Sequence, residues 1–269
     1  MRPVMEVRRL AWAGLEITAD GQTAVIDLVE DFPSLHSADP PTSEMPPISP
    51  KASATLGLLT HLHKDHADPR ALRRALRADG VVLRPQVATG GETETALVRG
   101  PEAALTKTGL ATRVVHPWET VAVGDFTATA LPAVDGFGDP QLSWVVTAHG
   151  CRILHAGDTL FHGWWWLARL RHGPFDVAFL PCGGAVVDLP SRQPPSPFPA
   201  GMGSRQAAVA AKILGAQTVV PIHYGPLHEA PDYVQADDVP GALLTSAHEL
   251  GITARVLQPG ERLRIKPVQ

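Results

Sequence analysis

Short apolar stretches of strand length, separated by turn residues, run along most of the chain. The first three, at residues 4–10, 12–18 and 23–29, follow one another closely and predict an antiparallel meander. Further strands are predicted at residues 55–60, 81–83, 113–116, 120–123, 126–131, 143–148, 151–155, 176–180, 217–222, 253–257 and 262–265. So many short strands indicate a protein built around β-sheets.

Helix-length segments alternate with these strands. Asp68 followed by Pro69 is typical of a helix start, and the Asp-Gly pair at residues 79–80 is expected to end that helix. Three more helices are predicted at residues 163–171, at 205–214 after a capping Ser204, and at 240–250, with glycines as stops, and a shorter one between residues 86 and 110.

Two proline-rich segments, at about residues 32–51 and 189–203, interrupt the pattern and are predicted to be loop insertions, because proline breaks helices and sheets. No repeat and no shift in composition separates a second domain, so residues 1–269 are expected to form a single domain. The order of strands and helices predicts an α/β fold (α+β by some schemes). Its expected form is a four-layer αββα sandwich, in which two mixed β-sheets pack face to face with helices outside.

Composition narrows the class of protein. The 269 residues are 44% hydrophobic with a net charge of −4, and no basic run suggests a nucleic-acid partner. No apolar run approaches the roughly 18 residues that span a bilayer, and the N-terminus lacks the apolar segment of a signal peptide. A cytoplasmic protein without a membrane partner is therefore expected. Cys151 and Cys182 are expected to be buried free thiols, and the oligomeric state is left open.

The strongest chemical signal is the motif H-x-H-x-D-H, formed by His61, His63, Asp65 and His66 directly after an apolar run. Alternate side chains of an extended chain point the same way, so the first two imidazoles can reach one ion. The last two residues follow a turn and can face a second point. Two metal ions about 3.5–4 Å apart suit such a layout.

Four more acidic or imidazole side chains follow predicted strands. Asp27, Asp135, Asp158 and His223 each come at or shortly after the end of an apolar run. One such residue alone would carry little information, whereas several of the same kind suggest a shared rim of polar side chains beyond the strand ends.

These residues resemble the signatures of the metallo-β-lactamase-fold hydrolases, in the same order and over nearly the whole chain. An Asp at a strand end is matched by Asp27, and the H-x-H-x-D-H signature is matched in full. An Asp in a Gly-Asp-Thr context is matched by Asp158, and a strand-end His by His223.

The third signature of that family, usually a His, has Asp135 as its nearest candidate here. An Asp at this position resembles the ascorbate-6-phosphate-lactonase-like branch, and residues 201–224 resemble a group of metal-dependent hydrolases from the same branch. This departure affects the first of the two expected metal positions, whose third ligand would be a carboxylate in place of an imidazole.

The resemblance implies a centre of two divalent ions and a role for each matched residue. The first ion would be held by His61, His63 and Asp135, the second by Asp65, His66 and His223, with Asp158 bridging both and Asp27 orienting a ligand from outside the centre. Imidazoles suit Zn²⁺, whereas a carboxylate in the third position favours harder ions such as Mn²⁺.

Two such ions would lower the pKa of a shared water toward neutrality and provide hydroxide for hydrolysis. Asp65 is a candidate proton acceptor, and Tyr224 is a candidate donor to the oxyanion or leaving group, with packing as its alternative role. The side chains expected to line a substrate pocket are Phe161, His162, Trp164 and His228.

The function expected from these observations is metal-dependent hydrolysis of a small ester, lactone or related substrate. The enzymatic alternatives are a phosphodiesterase and a glyoxalase II-like thioester hydrolase. The alternative that is not an enzyme is a metal-binding sensor or structural module that kept the fold.

Overall fold

The computed structural model describes residues 4–32, 43–44, 46, 51–225 and 227–266. In chain order its strands are β1 (Met5–Ala11), β2 (Gly14–Ala19), β3 (Gln22–Ile26), β4 (Asp31–Phe32), β5 (Ser43–Glu44), β6 (Ala54–Leu58), β7 (Leu76–Arg84), β8 (Ala111–Val114), β9 (Thr120–Val123), β10 (Phe126–Pro132), β11 (Leu142–Ala148), β12 (Cys151–His155), β13 (Val177–Pro181), β14 (Val186–Val187), β15 (Thr218–Ile222), β16 (Tyr233–Val234), β17 (Thr253–Ala254) and β18 (Arg262–Ile265). Its helices are α1 (Pro69–Ala75), α2 (Arg99–Lys107), α3 (Trp164–His172), α4 (Ser204–Leu214) and α5 (Val239–Glu249).

Two large mixed sheets organise this part of the chain. The first has the order β18-β1-β2-β3-β6-β7-β8, and the second has the order β17-β15-β13-β12-β11-β10-β9. In the first sheet β3, β6, β7 and β8 run parallel, whereas β18, β1, β2 and β3 are antiparallel neighbours. The second sheet is antiparallel from β9 to β12 and parallel from β12 to β17.

Alternation of side chains along the strands produces the layers. In β11, Trp144 and Val146 face a core cluster between the sheets, whereas Val145 faces a second cluster on the other side. That second cluster includes Trp165 of α3, together with buried residues of α4 and α5, and a third cluster packs α1 and α2 against the first sheet. Neighbouring residues of a strand point to opposite faces, so each sheet is covered on both sides. The predicted αββα sandwich is therefore confirmed.

The first helix is shorter than predicted. Asp68 caps α1 as expected, since its Oδ1 accepts hydrogen bonds of 3.0 Å from the backbone of Arg70 and Ala71. The helix ends at Ala75, however, and the predicted Asp-Gly stop is wrong. Leu76 already pairs with Ala54 in the first sheet, and the pairing register then shifts so that residues 77–80 form part of an irregular strand.

Ser204 begins α4 and does not cap it. Gly203 occupies the cap position, and Ser204 Oγ donates a 2.9 Å hydrogen bond to the carbonyl oxygen of Val239 at the start of α5. The hydroxyl thus joins two helices where the sequence pattern predicted an isolated cap.

Of the two proline-rich segments, the second lies within the described residues. Most of the first, residues 32–51, lies outside the described residues, whereas the second, residues 189–203, forms irregular structure beside the ends of the second sheet. Cys151 and Cys182 are buried free thiols, as predicted. Among the helices of the described residues, none has both the length and the apolar character needed to cross a membrane.

Close packing joins the loop after β10 to the second proline-rich segment. A Cβ atom on Gly136 would collide with the backbone carbonyl of Ala200, and one on Gly201 would lie 2.7 Å from the carbonyl oxygen of Asp158. Backbone atoms cannot swing aside as a flexible side chain can. Glycine is therefore required at both positions, where the second proline-rich segment meets the loops after β10 and β12.

We expect Gly136→Ala to lower the free energy of unfolding by about 1–3 kcal/mol, the usual cost of forcing extra atoms into a packed site. Gly163→Ala is the matched control, because a Cβ there meets no atom within 4 Å. Urea unfolding curves of the two variants test this. Equal midpoints would show that the loops separate without cost.

Candidate metal centre

Seven side chains with metal-binding atoms converge beyond the ends of β6, β10, β12 and β15. Within the described residues, two groups have one such atom per residue with all atoms of the group within 4.8 Å of one another. The first group is His61, His63, Asp135 and Asp158, and the second is Asp65, His66 and His223. These are the seven residues predicted as ligands, in the predicted sets, and their binding of metal stays a prediction.

Asp158 lies between the two groups. Its Oδ1 is 3.8 Å from Nδ1 of His61, and its Oδ2 is 3.7 Å from Nε2 of His223 and 4.0 Å from Nε2 of His66. The position suits the bridging role that the resemblance implies.

The backbone explains why the motif presents its side chains in two directions. After the extended residues that follow β6, the backbone N–H groups of His66 and Ala67 both donate to the carbonyl oxygen of His63, at 3.0 and 2.9 Å. The chain turns at that point, so Asp65 and His66 belong to the second group and His61 and His63 to the first, with the ring centroids of His61 and His66 4.1 Å apart. This is the geometry predicted from the spacing.

Unpartnered atoms show that the cluster suits cations. Nε2 of His61, His66 and His223 and Oδ2 of Asp135 are all buried and have no hydrogen-bond partner within the described residues. Leaving such groups unpaired costs about 1–3 kcal/mol each, and buried polar atoms normally have a partner. Three imidazole nitrogens and a carboxylate oxygen are ligands that Zn²⁺ accepts. The residues present therefore fit divalent metal ions.

The other ring nitrogens are held in place by neighbouring groups. Nδ1 of His66 is 2.8 Å from Oδ2 of Asp27, and Nε2 of His63 is 2.9 Å from Oδ2 of Asp139. Asp27 also accepts hydrogen bonds from the backbone and hydroxyl of Thr60, at 2.8 and 2.6 Å. Carboxylates in this position fix the tautomer and orientation of a metal-binding imidazole. Asp27 has the position that its predicted orienting role requires, and that role stays a prediction.

Asp139 is not among the residues predicted from the sequence to contact His63. Its Oδ2 also accepts a 3.3 Å hydrogen bond from Nη2 of Arg192, in the second proline-rich segment. Arg192 donates further to the carbonyl oxygens of Phe137, Thr93 and Glu94, at 3.0–3.2 Å. One guanidinium thus links three loops to the carboxylate that orients His63.

Gln141 and Trp12 were likewise missed. Gln141 Nε2 donates to Oδ1 of Asp158. Trp12 Nε1 donates a 3.0 Å hydrogen bond to Oδ2 of Asp65, and the Trp12 ring centroid lies 4.2 Å from that of His223. Neither residue belongs to a polar motif, so no local pattern distinguishes it from a turn or core residue.

The buried acidic and imidazole groups of the cluster shift one another's pKa values. Burial raises the pKa of Asp65, but His66 and His223 outweigh burial and hold that pKa well below its ordinary value. Burial lowers the pKa of His66, but Asp65 and Asp27 raise it to about 10. Burial raises the pKa of Asp135 to about 6. Asp65 accepts the Trp12 hydrogen bond in this arrangement, and its role as a proton acceptor stays a prediction.

A cavity of about 400 Å³ opens onto these residues. The candidate ligands His63, Asp65, Asp158 and His223 line it, together with two other polar side chains, Lys64 and Tyr233. The rest of its wall is apolar or glycine: Ala96, Leu97, Gly100, Pro101, Phe137, Gly184, Ala185, Val187, Leu189, Ala200, Gly201, Met202 and Leu227.

The predicted pocket residues lie elsewhere. None of Phe161, His162, Trp164 and His228 is among the residues that line the cavity. Phe161 packs against the core of the second sheet, and His162 stacks on Trp165 at a centroid distance of 4.0 Å. Trp164 is 45% exposed, and His228 is exposed. Proximity in sequence to Asp158 or His223 was therefore a poor guide to the wall.

Tyr224, the predicted oxyanion donor, also lies outside the cavity lining. Its hydroxyl accepts a 2.8 Å hydrogen bond from Nη1 of Arg9, whose guanidinium carbon lies 4.5 Å from the centroid of the Tyr224 ring. The other tyrosine, Tyr233, lines the cavity instead. Burial raises the pKa of Tyr233 well above its ordinary value, and Asp65 and Asp158 act in the same direction, so its hydroxyl keeps its proton.

Comparisons with known proteins agree with this fold. A family model described as a beta-lactamase superfamily domain matches residues 12–224. A metal-dependent hydrolase from Rubrobacter xylanophilus is 31% identical over 213 residues, which are 77% of each chain. A metallo hydrolase from Ignicoccus hospitalis superposes with a TM-score of 0.68 at 19% identity, over 98% of this chain and 99% of that one. CmlA, a diiron β-hydroxylase from Streptomyces venezuelae, superposes with a TM-score of 0.70 at 20% identity, over 98% of this chain and 54% of that one.

We expect Asp139→Asn to weaken metal binding by about 10–100-fold, as loss of a partner that orients an imidazole usually does. Asp125→Asn is the control, because Asp125 exchanges two hydrogen bonds with Gln22 at the turn between β9 and β10, at the opposite end of β10 from the centre. Competition with a chelator measures the affinity. An unchanged affinity in Asp139→Asn would show that His63 needs no orienting carboxylate.

His162 offers a test of acid stability away from the centre. Burial lowers the pKa of His162 to about 4, against about 6.5 for an unfolded histidine. Between these values the unfolded chain binds a proton that the folded chain does not, so the free energy of unfolding falls as the pH falls from 6.5 to 4.

His162→Gln should remove that part of the pH dependence, whatever its effect at pH 8. His228→Gln, at an exposed position, should keep it. Urea unfolding at several pH values measures the slope of the free energy of unfolding against pH for each variant. A slope in His162→Gln equal to that of the native chain contradicts the assignment.

Proposed function

The chain belongs to the beta-lactamase superfamily, as a metal-dependent hydrolase, and we propose that its substrates are small, uncharged esters or lactones. The observation that carries this proposal is the composition of the cavity wall beside the candidate ligands. The relative from Rubrobacter xylanophilus is named as a metal-dependent hydrolase without a substrate, so the support for a substrate class comes from the site.

The residues of the centre supply the ligands for two ions. His61, His63, Asp135 and Asp158 would hold one, and Asp65, His66 and His223 the other. Such ions polarise a carbonyl and lower the pKa of water. Four of the seven side chains are imidazoles, which favours Zn²⁺ over Mn²⁺. Trp12 donates a hydrogen bond to the carboxylate of Asp65, and His66 and His223 hold the pKa of that carboxylate well below its ordinary value.

The size and surface of the cavity favour a small acyl group. Its volume of about 400 Å³ lies in the range of small-molecule sites. Leu97, Phe137, Val187, Leu189 and Met202 contribute apolar wall next to the ligands. Burial of apolar surface stabilises a bound acyl chain by about 25 cal/mol per Å².

The charges of the cavity disfavour a phosphorylated substrate. Lys64 is the one cationic side chain among the described lining residues outside the candidate ligands, and no arginine lines the cavity. Phosphate groups are usually recognised by arginine pairs or clusters of cations, and an anion against an apolar wall loses its hydration without replacement. An uncharged carbonyl compound needs no cluster of cations and loses less hydration free energy in the apolar cavity.

We expect His66→Ala to lose metal and to lower kcat/KM for p-nitrophenyl butyrate by more than about a hundredfold. Replacing a residue that merely orients a metal ligand already lowers metal affinity or activity by about 10–100-fold. His116→Ala, at an exposed position away from the cavity, is the control and should keep both. Metal analysis and hydrolysis assays measure the two effects. Retained activity in His66→Ala would refute metal-dependent hydrolysis at this centre.

The same assays on γ-hexalactone and bis(p-nitrophenyl) phosphate test the substrate class. Turnover of the ester or lactone but not the phosphodiester is expected. Turnover of the phosphodiester alone would support the phosphodiesterase alternative. Two bound metal ions with no turnover of any class would support a metal-binding module.

A further inference from the structure

The hydroxyl of Tyr233 is buried in the cavity wall and has no hydrogen-bond partner within the described residues. The residue as a whole is 6% exposed. A buried phenol without a partner costs about 1–3 kcal/mol, and such groups in native proteins call for an explanation. Here the hydroxyl belongs to a residue that lines the same cavity as Asp65, Asp158 and His223.

The backbone on both sides of Tyr233 is fixed. β16 pairs with β14, with Tyr233 opposite Val187. The backbone N–H of Tyr233 donates to the carbonyl oxygen of Glu229 at 2.8 Å, and Glu229 donates back at 2.9 Å. The phenol is therefore held on a short, doubly anchored strand.

The ring of Tyr233 is also linked to the candidate metal centre. Its centroid lies 6.2 Å from that of Trp12, and the indole of Trp12 donates to Oδ2 of Asp65. Trp12 thus contacts both the Tyr233 ring and the candidate ligand Asp65, so the position of the phenol is tied to the position of that ligand. A donor fixed before substrate arrives needs little reorganisation when charge develops.

Few other donors are available in the cavity. Outside the candidate ligands, Lys64 and Tyr233 are the polar side chains among its described lining residues. Lys64 has interactions of its own, whereas the Tyr233 hydroxyl has none within the described part of the chain. An apolar wall with one protonated hydroxyl suits an uncharged substrate that carries an oxygen acceptor.

We propose that Tyr233 is a catalytic residue whose hydroxyl donates a hydrogen bond to the acyl oxygen of a carboxylic ester or lactone bound in the cavity. This inference rests on the proposed function for the identity of the substrate. The hydrogen bond strengthens as negative charge develops on that oxygen, so it contributes more to the transition state than to substrate binding.

Tyr233→Phe removes the hydroxyl and keeps the ring against Trp12. With the metal-loaded protein and p-nitrophenyl butyrate, kcat is expected to fall by about 10²–10³-fold, the usual effect of losing one oxyanion donor. KM and metal content are expected to change little, because the hydroxyl acts mainly in the transition state and holds no metal. Native kcat in a Tyr233→Phe protein that carries its metal would overturn the proposal.

A second measurement does not depend on turnover. The chain has two tyrosines, so the metal-loaded native protein labelled with 3-fluorotyrosine should give two ¹⁹F resonances, and a labelled Tyr224→Phe sample assigns them. Butyrate, the acid released from the ester, serves as the probe, because the ions of the metal-loaded protein would balance its charge beside the apolar wall. Its addition is expected to shift the Tyr233 resonance and to leave the Tyr224 resonance in place. A Tyr233 resonance that saturating butyrate leaves unmoved would overturn the proposal.

The two measurements separate this inference from the proposed function. A protein that hydrolyses the ester equally well as native and Tyr233→Phe forms keeps the function and refutes the donor. A protein that hydrolyses no ester, but whose Tyr233 resonance responds to butyrate, refutes the substrate class and supports a carboxyl oxygen bound at this hydroxyl.

Discussion

Burial of mutually close imidazoles and carboxylates is the constraint on which the rest of the structure depends. Seven such side chains meet at the ends of the strands, and four of their buried atoms have no hydrogen-bond partner in the described part of the chain. Ionised groups taken out of water are unfavourable unless opposite charge and hydrogen bonds compensate. Metal ions would supply the charge, and the surrounding residues supply the hydrogen bonds that keep the free atoms aimed at one place.

Those hydrogen bonds come from distant parts of the fold. Asp27 fixes His66 from the end of β3, and Asp139 fixes His63 from the loop after β10. Trp12, in the turn between β1 and β2, holds Asp65. Of these three contacts, the one between His63 and Asp139 joins the loop after β6 of the first sheet to the loop after β10 of the second. That contact depends on how the two sheets pack, which ties the centre to the core between them.

The parts of this arrangement that are local in sequence could be predicted. An apolar run followed by a carboxylate or imidazole is visible without a structure, and it located Asp27, Asp135, Asp158 and His223. The contact of His63 with Asp139 joins positions 76 residues apart, and no local pattern predicts which loop supplies the partner. Tyr224 neighbours His223 in sequence, but its hydroxyl contacts Arg9. The backbone takes a left-handed conformation at His223, with φ of 56°, and adjacency in sequence does not tell where the next side chain points after such a turn.

The cavity wall is built mainly from segments outside the two large sheets. A metallo hydrolase and a diiron β-hydroxylase both match 98% of this chain, so the shared sheets are compatible with different reactions. The wall comes from loops and short strands near residues 96–101, 184–189, 200–202 and 227–233. Here those segments contribute apolar groups and one buried phenol. An apolar wall excludes water and lowers the local dielectric, which strengthens each remaining electrostatic contact. One hydroxyl in such surroundings can therefore have a larger effect than several exposed charges at the rim.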